Sequence, residues 1–279
     1  MLRSHLAITS ALAGGLFCAI AGTASAQQPA PSAAAPAASK DAPAAQIQLV
    51  KDPRALASLK AMSDRLASTK SFTVRAENTV PMLGPNLQWI SLVGTARVAL
   101  DRPNGLFIAR GGDQPSLEVY YDGRTLVLHE PAEKLYAEVA APATVDATLA
   151  EVFGPAVAGF PYLAVLMSDP YASLTKDLGG ALYVGHSTLD GVKTEHLAMR
   201  SPGVDWEIWI GAEDRLPRLV QAKYVDLGKA PTITTRFHDW NLSPQIPATT
   251  FRLEKAATAR QIEYVKPEPP VAVPPKTGK

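Results

Sequence analysis

The spacing of apolar positions changes three times along the chain, and each change marks a different kind of element. Leu56, Leu59, Met62 and Leu66 recur every three or four residues, which is the spacing of one face of an amphipathic helix. Asp52-Pro53 just ahead supplies an N-cap and a proline at the first helical position, so the helix is predicted to run to about Ser68. From Ser71 the period drops to two. Strands are predicted over Phe72–Thr79, Leu87–Leu100, Leu106–Arg110, Leu117–Tyr121, Thr125–His129 and Leu135–Val139, with Asp122-Gly123 as a tight hairpin turn.

Helical spacing then returns. Val145, Leu149, Val152 and Phe153 share one face, and Gly154-Pro155 ends that helix. Pro161 starts a second helix carrying Tyr162, Leu163, Val165, Leu166 and Met167, which Asp169-Pro170 stops. No charge falls between Phe153 and Met167. Period two resumes over Leu182–Thr188, Val192–Met199, Asp205–Ile210, Arg218–Val225 and Thr232–Trp240, with Asp190-Gly191 as a second hairpin turn.

Short loops between successive strands favour antiparallel pairing over parallel crossovers. About eleven strands in order, one leading helix and inserted helices midway predict an α+β fold. Its sheet is a single strongly curved antiparallel one, a half-open β-barrel whose concave face the helices cover. A curved apolar sheet under a helical cover suits a greasy ligand.

Both ends read as something other than fold. Met1-Leu2-Arg3, the apolar run from about Leu6 to Ala21 and Ala24-Ser25-Ala26 form the charged, apolar and small-residue zones of a signal peptide. Cleavage is predicted after Ala26, giving a periplasmic protein. Cys18 stands where bacterial lipoproteins are lipidated, but Phe17 occupies the place of the small residue that such processing wants. Residues 27–50 are predicted to be an Ala/Pro-rich disordered linker, because they lack large apolar side chains to bury. The folded domain is expected over 51–264 and a Pro-rich disordered tail over 265–279.

Composition narrows the function. With 27 Lys plus Arg against 26 Asp plus Glu, the net charge is +1, which argues against nucleic-acid binding and allows at most transient membrane contact. Cys18 is the single cysteine, so neither an internal disulfide nor a cysteine zinc site is possible.

The stretch Asp190-Gly191-Val192-Lys193-Thr194-Glu195-His196-Leu197-Ala198-Met199-Arg200 leads into Asp205-Trp206-Glu207-Ile208-Trp209-Ile210 and then Arg215-Leu216-Pro217-Arg218. This order closely resembles a family of predicted periplasmic proteins, a domain of unknown function, and the likeness extends over roughly Asp52 to Glu254. Thr194 stands where relatives often have Cys, and Arg215 where they often have Pro. The family is similar to the LolA/LolB-like lipoprotein carriers. The resemblance implies a half-barrel closed by helices and says little of an activity; no cofactor is expected.

The residues themselves offer little catalysis. No Gly-x-Ser-x-Gly elbow occurs, and Gly111-Gly112 and Gly179-Gly180 lack the setting of a phosphate loop. Glu151 and Asp146 look like ordinary solvated charges on a helix face. His196 beside Glu195 and His238 beside Asp239 point to opposite strand faces and cannot chelate together; His186 and His196 lie on adjacent hairpin strands within reach of each other, but two imidazoles without a nearby carboxylate make a poor site. No metal site and no enzyme is expected. Phe160, Leu163, Leu166 and Met167 are the candidate ligand contacts, either as a plug that completes the core or as a lid hinged at Gly154 and Gly159. Alternation puts Val204, Trp206, Ile208 and Ile210 on one face and Trp209 on the polar one, so Trp209 is either packed there or a partner surface. The expected occupant is an apolar ligand such as a lipid or acyl chain. The alternative is an envelope protein docking on a filled, ligand-free barrel.

Overall fold

Strand follows strand with the spacing that the alternating pattern requires, and pairing them in order builds one sheet. The structure, a computed structural model, describes residues 49–153, 161–226, 231–254 and 259–264. The signal peptide, most of the linker, the tail and Phe160 lie outside the described residues.

Helix α1 (Pro53–Ala67) opens the fold, its N-cap Asp52 accepting from the Arg54 N–H at 2.8 Å. Strands β1 (Ser71–Leu83), β2 (Trp89–Asp101), β3 (Gly105–Gly112), β4 (Leu117–Tyr121), β5 (Thr125–Glu130) and β6 (Leu135–Ala140) follow. Then come α2 (Val145–Phe153), α3 (Pro161–Ala164) and α4 (Pro170–Thr175). Strands β7 (Gly180–Leu189), β8 (Val192–Ser201), β9 (Val204–Gly211), β10 (Pro217–Tyr224) and β11 (Thr232–Asn241) complete the second half. A 3-10 turn at Ala248–Phe251 and a short β12 (Arg260–Ile262) end the described chain.

The twelve strands form one open, curled sheet in the order β12-β6-β5-β4-β3-β2-β1-β11-β10-β9-β8-β7. All pairs are antiparallel except β12 with β6. The α+β architecture is the expected one, with β12 as an addition. Asp190 and Gly191 both take positive φ, 49° and 79°, as a two-residue hairpin turn of the mirror-image type needs. Asp169-Pro170 was expected to stop the helix begun at Pro161, but that helix already ends at Ala164, leaving Val165, Leu166 and Met167 in a turn. Asp169-Pro170 instead starts the next helix, because the Asp169 carboxylate accepts from the Ala172 N–H at 2.9 Å and Pro170 takes the first position of α4. Val50 already joins the fold, its carbonyl accepting from the Ala181 N–H at 2.9 Å on edge strand β7.

One apolar cluster lines the concave side. Leu59, Met62 and Leu66 of α1 meet Phe72, Leu100, Tyr121 and Leu128 from one half of the sheet and Leu197, Trp206, Ile208 and Ile210 from the other. Helix α1 packs on α4 and on β7 and β9, and α3 lies on β10.

Candidate functional site

The concave face and its cover are joined by apolar packing and by a few polar clamps. Val165 and Leu166 are buried in the core cluster, while Leu163 and Met167 are half-buried, with Met167 packed against its margin. The turn between β2 and β3 brings Arg102 beneath this segment. Its guanidinium donates to the carbonyls of Leu166 at 3.0 Å and Met167 at 2.7 Å. Burial pushes the Arg102 guanidinium down from its usual value, and the nearby Asp146 carboxylate opposes that.

Asp146 holds the same segment from the other side. Its carboxylate accepts from the Ser168 N–H at 3.0 Å and also from the Ser168 hydroxyl. This corrects the reading of Asp146 as an ordinary solvated charge: its position in the first turn of α2 aims it at a chain reversal 22 residues on. Ser63 of α1 accepts from the Tyr171 N–H at 2.8 Å and so anchors α4. Sequence spacing gives no sign of these bonds, since each joins residues distant in the chain.

A recess of about 20 Å³ opens beside the cover, lined by Leu126, Val139, Ala141, Pro142, Thr148 and Tyr264 among others. That is room for about one water molecule. Burial and the nearby Glu151 carboxylate push the Tyr264 hydroxyl up. Tyr121, fully buried at the inner wall, donates to the Pro142 carbonyl.

At the β7 end of the concave face, Glu195 accepts from the buried Ser58 hydroxyl of α1 and from the Arg215 guanidinium at 2.9 Å. The Tyr183 hydroxyl lies 3.3 Å from His186 Nε2, and Arg54 lies 5.0 Å above the Tyr183 ring. These contacts pin the start of α1 to β7 and β8.

The outer face carries Trp209, half-buried and stacked on His196 with ring centroids 4.0 Å apart and an 11° interplanar angle. The alternation on β9 is as expected: Val204, Trp206, Ile208 and Ile210 are buried inside. His196 Nε2 is 2.7 Å from Glu207 Oε2 on the neighbouring strand. A bulge at Gly185 sets His186 opposite Glu195, so His186 and His196 lie on opposite faces and do not meet. Among the described residues, no group of three or more His, Cys, Asp or Glu side chains converges to hold a metal ion.

A family model described as "Predicted periplasmic protein (DUF2092)" matches residues 55–265. No curated protein matches the chain in sequence. Among solved structures, lipoprotein LppX of Mycobacterium tuberculosis matches at 13% identity over 71% of this chain and 100% of that one, with a TM-score of 0.41. A LolA superfamily protein from Nitrosomonas europaea matches at 10% identity over 71% of this chain and 99% of that one, with a TM-score of 0.33. The MucA/MucB complex of Pseudomonas aeruginosa matches at 15% identity over 72% of this chain and 61% of that one, with a TM-score of 0.39. The family of predicted periplasmic proteins is the one that the sequence resembles.

Proposed function

The chain belongs to this family of predicted periplasmic proteins, and from that premise we propose that it is an exported, non-enzymatic binding protein. It is cleaved after Ala26, and residues 51–264 hold an apolar ligand, an acyl chain or a lipid, between the concave sheet face and the helical cover. Phe160, Leu163, Leu166 and Met167 are its proposed contacts.

The observation that carries this reading is the apolar cluster lining the concave face, covered by a segment in which Leu163 and Met167 are only half-buried. Burial of alkyl surface contributes roughly 0.8 kcal/mol per CH2. A dozen methylenes then supply on the order of 10 kcal/mol before association costs are subtracted, with no catalytic group required.

Native purification from the periplasm, solvent extraction and mass spectrometry test the reading. A stoichiometric lipid or acyl compound is the expected result. A ligand-free protein that also fails to take up a fluorescent fatty acid would overturn it.

One observation favours a second reading. The recess beside Tyr264 has room for about one water, and large side chains such as Trp206, Tyr121 and Phe72 pack the barrel. In a barrel filled throughout in this way, the outer face around Trp209 becomes the place where an envelope protein docks.

A further inference from the structure

We propose that the hairpin of β1 and β2 is an arm that docks the protein on a lipid bilayer surface. The two strands pair along their whole 13-residue lengths, from Ser71 with Asp101 to Leu83 with Trp89. Their neighbours stop short. Strand β11 pairs with β1 only from Thr73 to Thr79, and β3 pairs with β2 only from Gly94 onward. Val80–Leu83 and Trp89–Val93 therefore project beyond the sheet as a two-stranded ribbon. At about 3.4 Å per residue, four residues and the turn reach roughly 15 Å from the body.

The arm is uncharged and apolar. No Asp, Glu, Lys or Arg occurs between Glu77 and Arg97. Val80, Met82, Ile90 and Leu92 share the face that continues the concave side outward, since Val80 pairs with Leu92 and Met82 with Ile90. Met82 is 36% exposed, Ile90 39%, Val93 53% and Leu87, at the tip, 73%. The first charged group at the base is Asp113, whose carboxylate accepts from the Val93 N–H at 2.8 Å.

Leu87 breaks two local rules at once. Its φ is 62°, a left-handed conformation that suits Gly or Asn and penalises a bulky side chain. It is also the most exposed of the large apolar side chains among the described residues. Asn at that position would relieve both problems in water. A leucine held there is explained by an apolar medium outside the protein.

The absence of charge selects the partner. The arm has no Lys or Arg to recognise an anionic headgroup, and its exposed apolar side chains lie on both faces, Met82 and Ile90 on one and Val93 on the other, which suits an apolar medium surrounding the tip better than a single protein face. The arm's reach of roughly 15 Å exceeds the 5–10 Å or so to which interfacial segments enter a bilayer, so the tip can enter while the body stays in water. The docking does not depend on what the concave face holds.

Flotation of the mature chain with phosphatidylcholine vesicles, at low and high salt, is the test. The expected result is binding to these neutral vesicles with little dependence on salt. Leu87→Asn should weaken it about tenfold or more, through loss of one buried leucine, while keeping or raising thermal stability. Leu182→Asn on the exposed part of β7 should leave flotation unchanged. The proposal is overturned if the native chain does not float, or if Leu87→Asn floats as well as the native chain. It is equally overturned if only vesicles containing phosphatidylglycerol bind and salt releases them, or if Leu87 instead drives dimerisation in solution.

Discussion

Arg102 and Met167 are joined by a 2.7 Å hydrogen bond from a half-buried guanidinium to a backbone carbonyl, across 65 residues of sequence. The same guanidinium holds the Leu166 carbonyl at 3.0 Å, so one side chain closes the end of the helical cover over the sheet. Arg102→Met keeps much of the apolar stem and removes both bonds. Charge-assisted bonds of this kind contribute about 1.5–3 kcal/mol. Urea unfolding of the variant should show a loss of that size, and a midpoint equal to the native one would show that the clamp does not hold the cover.

Leu166 and Leu163 occupy one segment at different depths, and that difference separates a plug from a pocket wall. Leu166 is 4% exposed inside the core cluster, so Leu166→Ala should cost about 2–5 kcal/mol of stability. Leu163 is half-buried, and Leu163→Ala should cost about 1 kcal/mol while lowering uptake of a fluorescent fatty acid. Equal stability losses with unchanged uptake would make the whole segment a plug.

The sheet was legible because its rules are local. Asp190-Gly191 fixes a hairpin within two residues, and the inside-outside alternation of Trp206 and Trp209 follows from strand geometry alone. Strand β12 was not legible: Arg260-Gln261-Ile262 is too short to show a period, and it pairs in parallel with a strand more than a hundred residues earlier. The clamps were hidden for a related reason. Arg102, Asp146 and Ser63 bond to backbone groups far along the chain, and nothing in their neighbours' residue types marks a partner. Of the proposed contacts, Leu163 lies in α3 and Leu166 and Met167 in the turn that follows it, because the helix ends at Ala164.

Asp122 gives the stability a dependence on acid. Partial burial raises its carboxyl, but the N–H groups of Thr125 and Arg124 and the Arg252 guanidinium outweigh that and hold it below the usual carboxylate range. A carboxyl lowered by folding stabilises above its unfolded value, near 4, and that contribution fades as pH falls through the folded value. Thermal melts should therefore show native protein exceeding Asp122→Asn by a margin that is constant at neutral pH and narrows below about pH 4. A margin independent of pH would mean that the Asp122 charge is not what ties the hairpin turn to Arg252.

Trp209 separates packing from recognition on the outer face. Its ring stacks on His196 at 4.0 Å, and its strand neighbour Leu219 is 6% exposed beside it. If packing is its role, Trp209→Ala should lose about 1–3 kcal/mol from the stacked pair and the apolar area uncovered. Trp209→Phe keeps a ring over His196 and should lose less than half of that in the same urea titration. A partner-contact role gives the opposite pattern, because an indole held ready for another molecule contributes little to the unbound fold. Trp209→Ala would then unfold at the native midpoint, and the stack on His196 would serve to orient the indole.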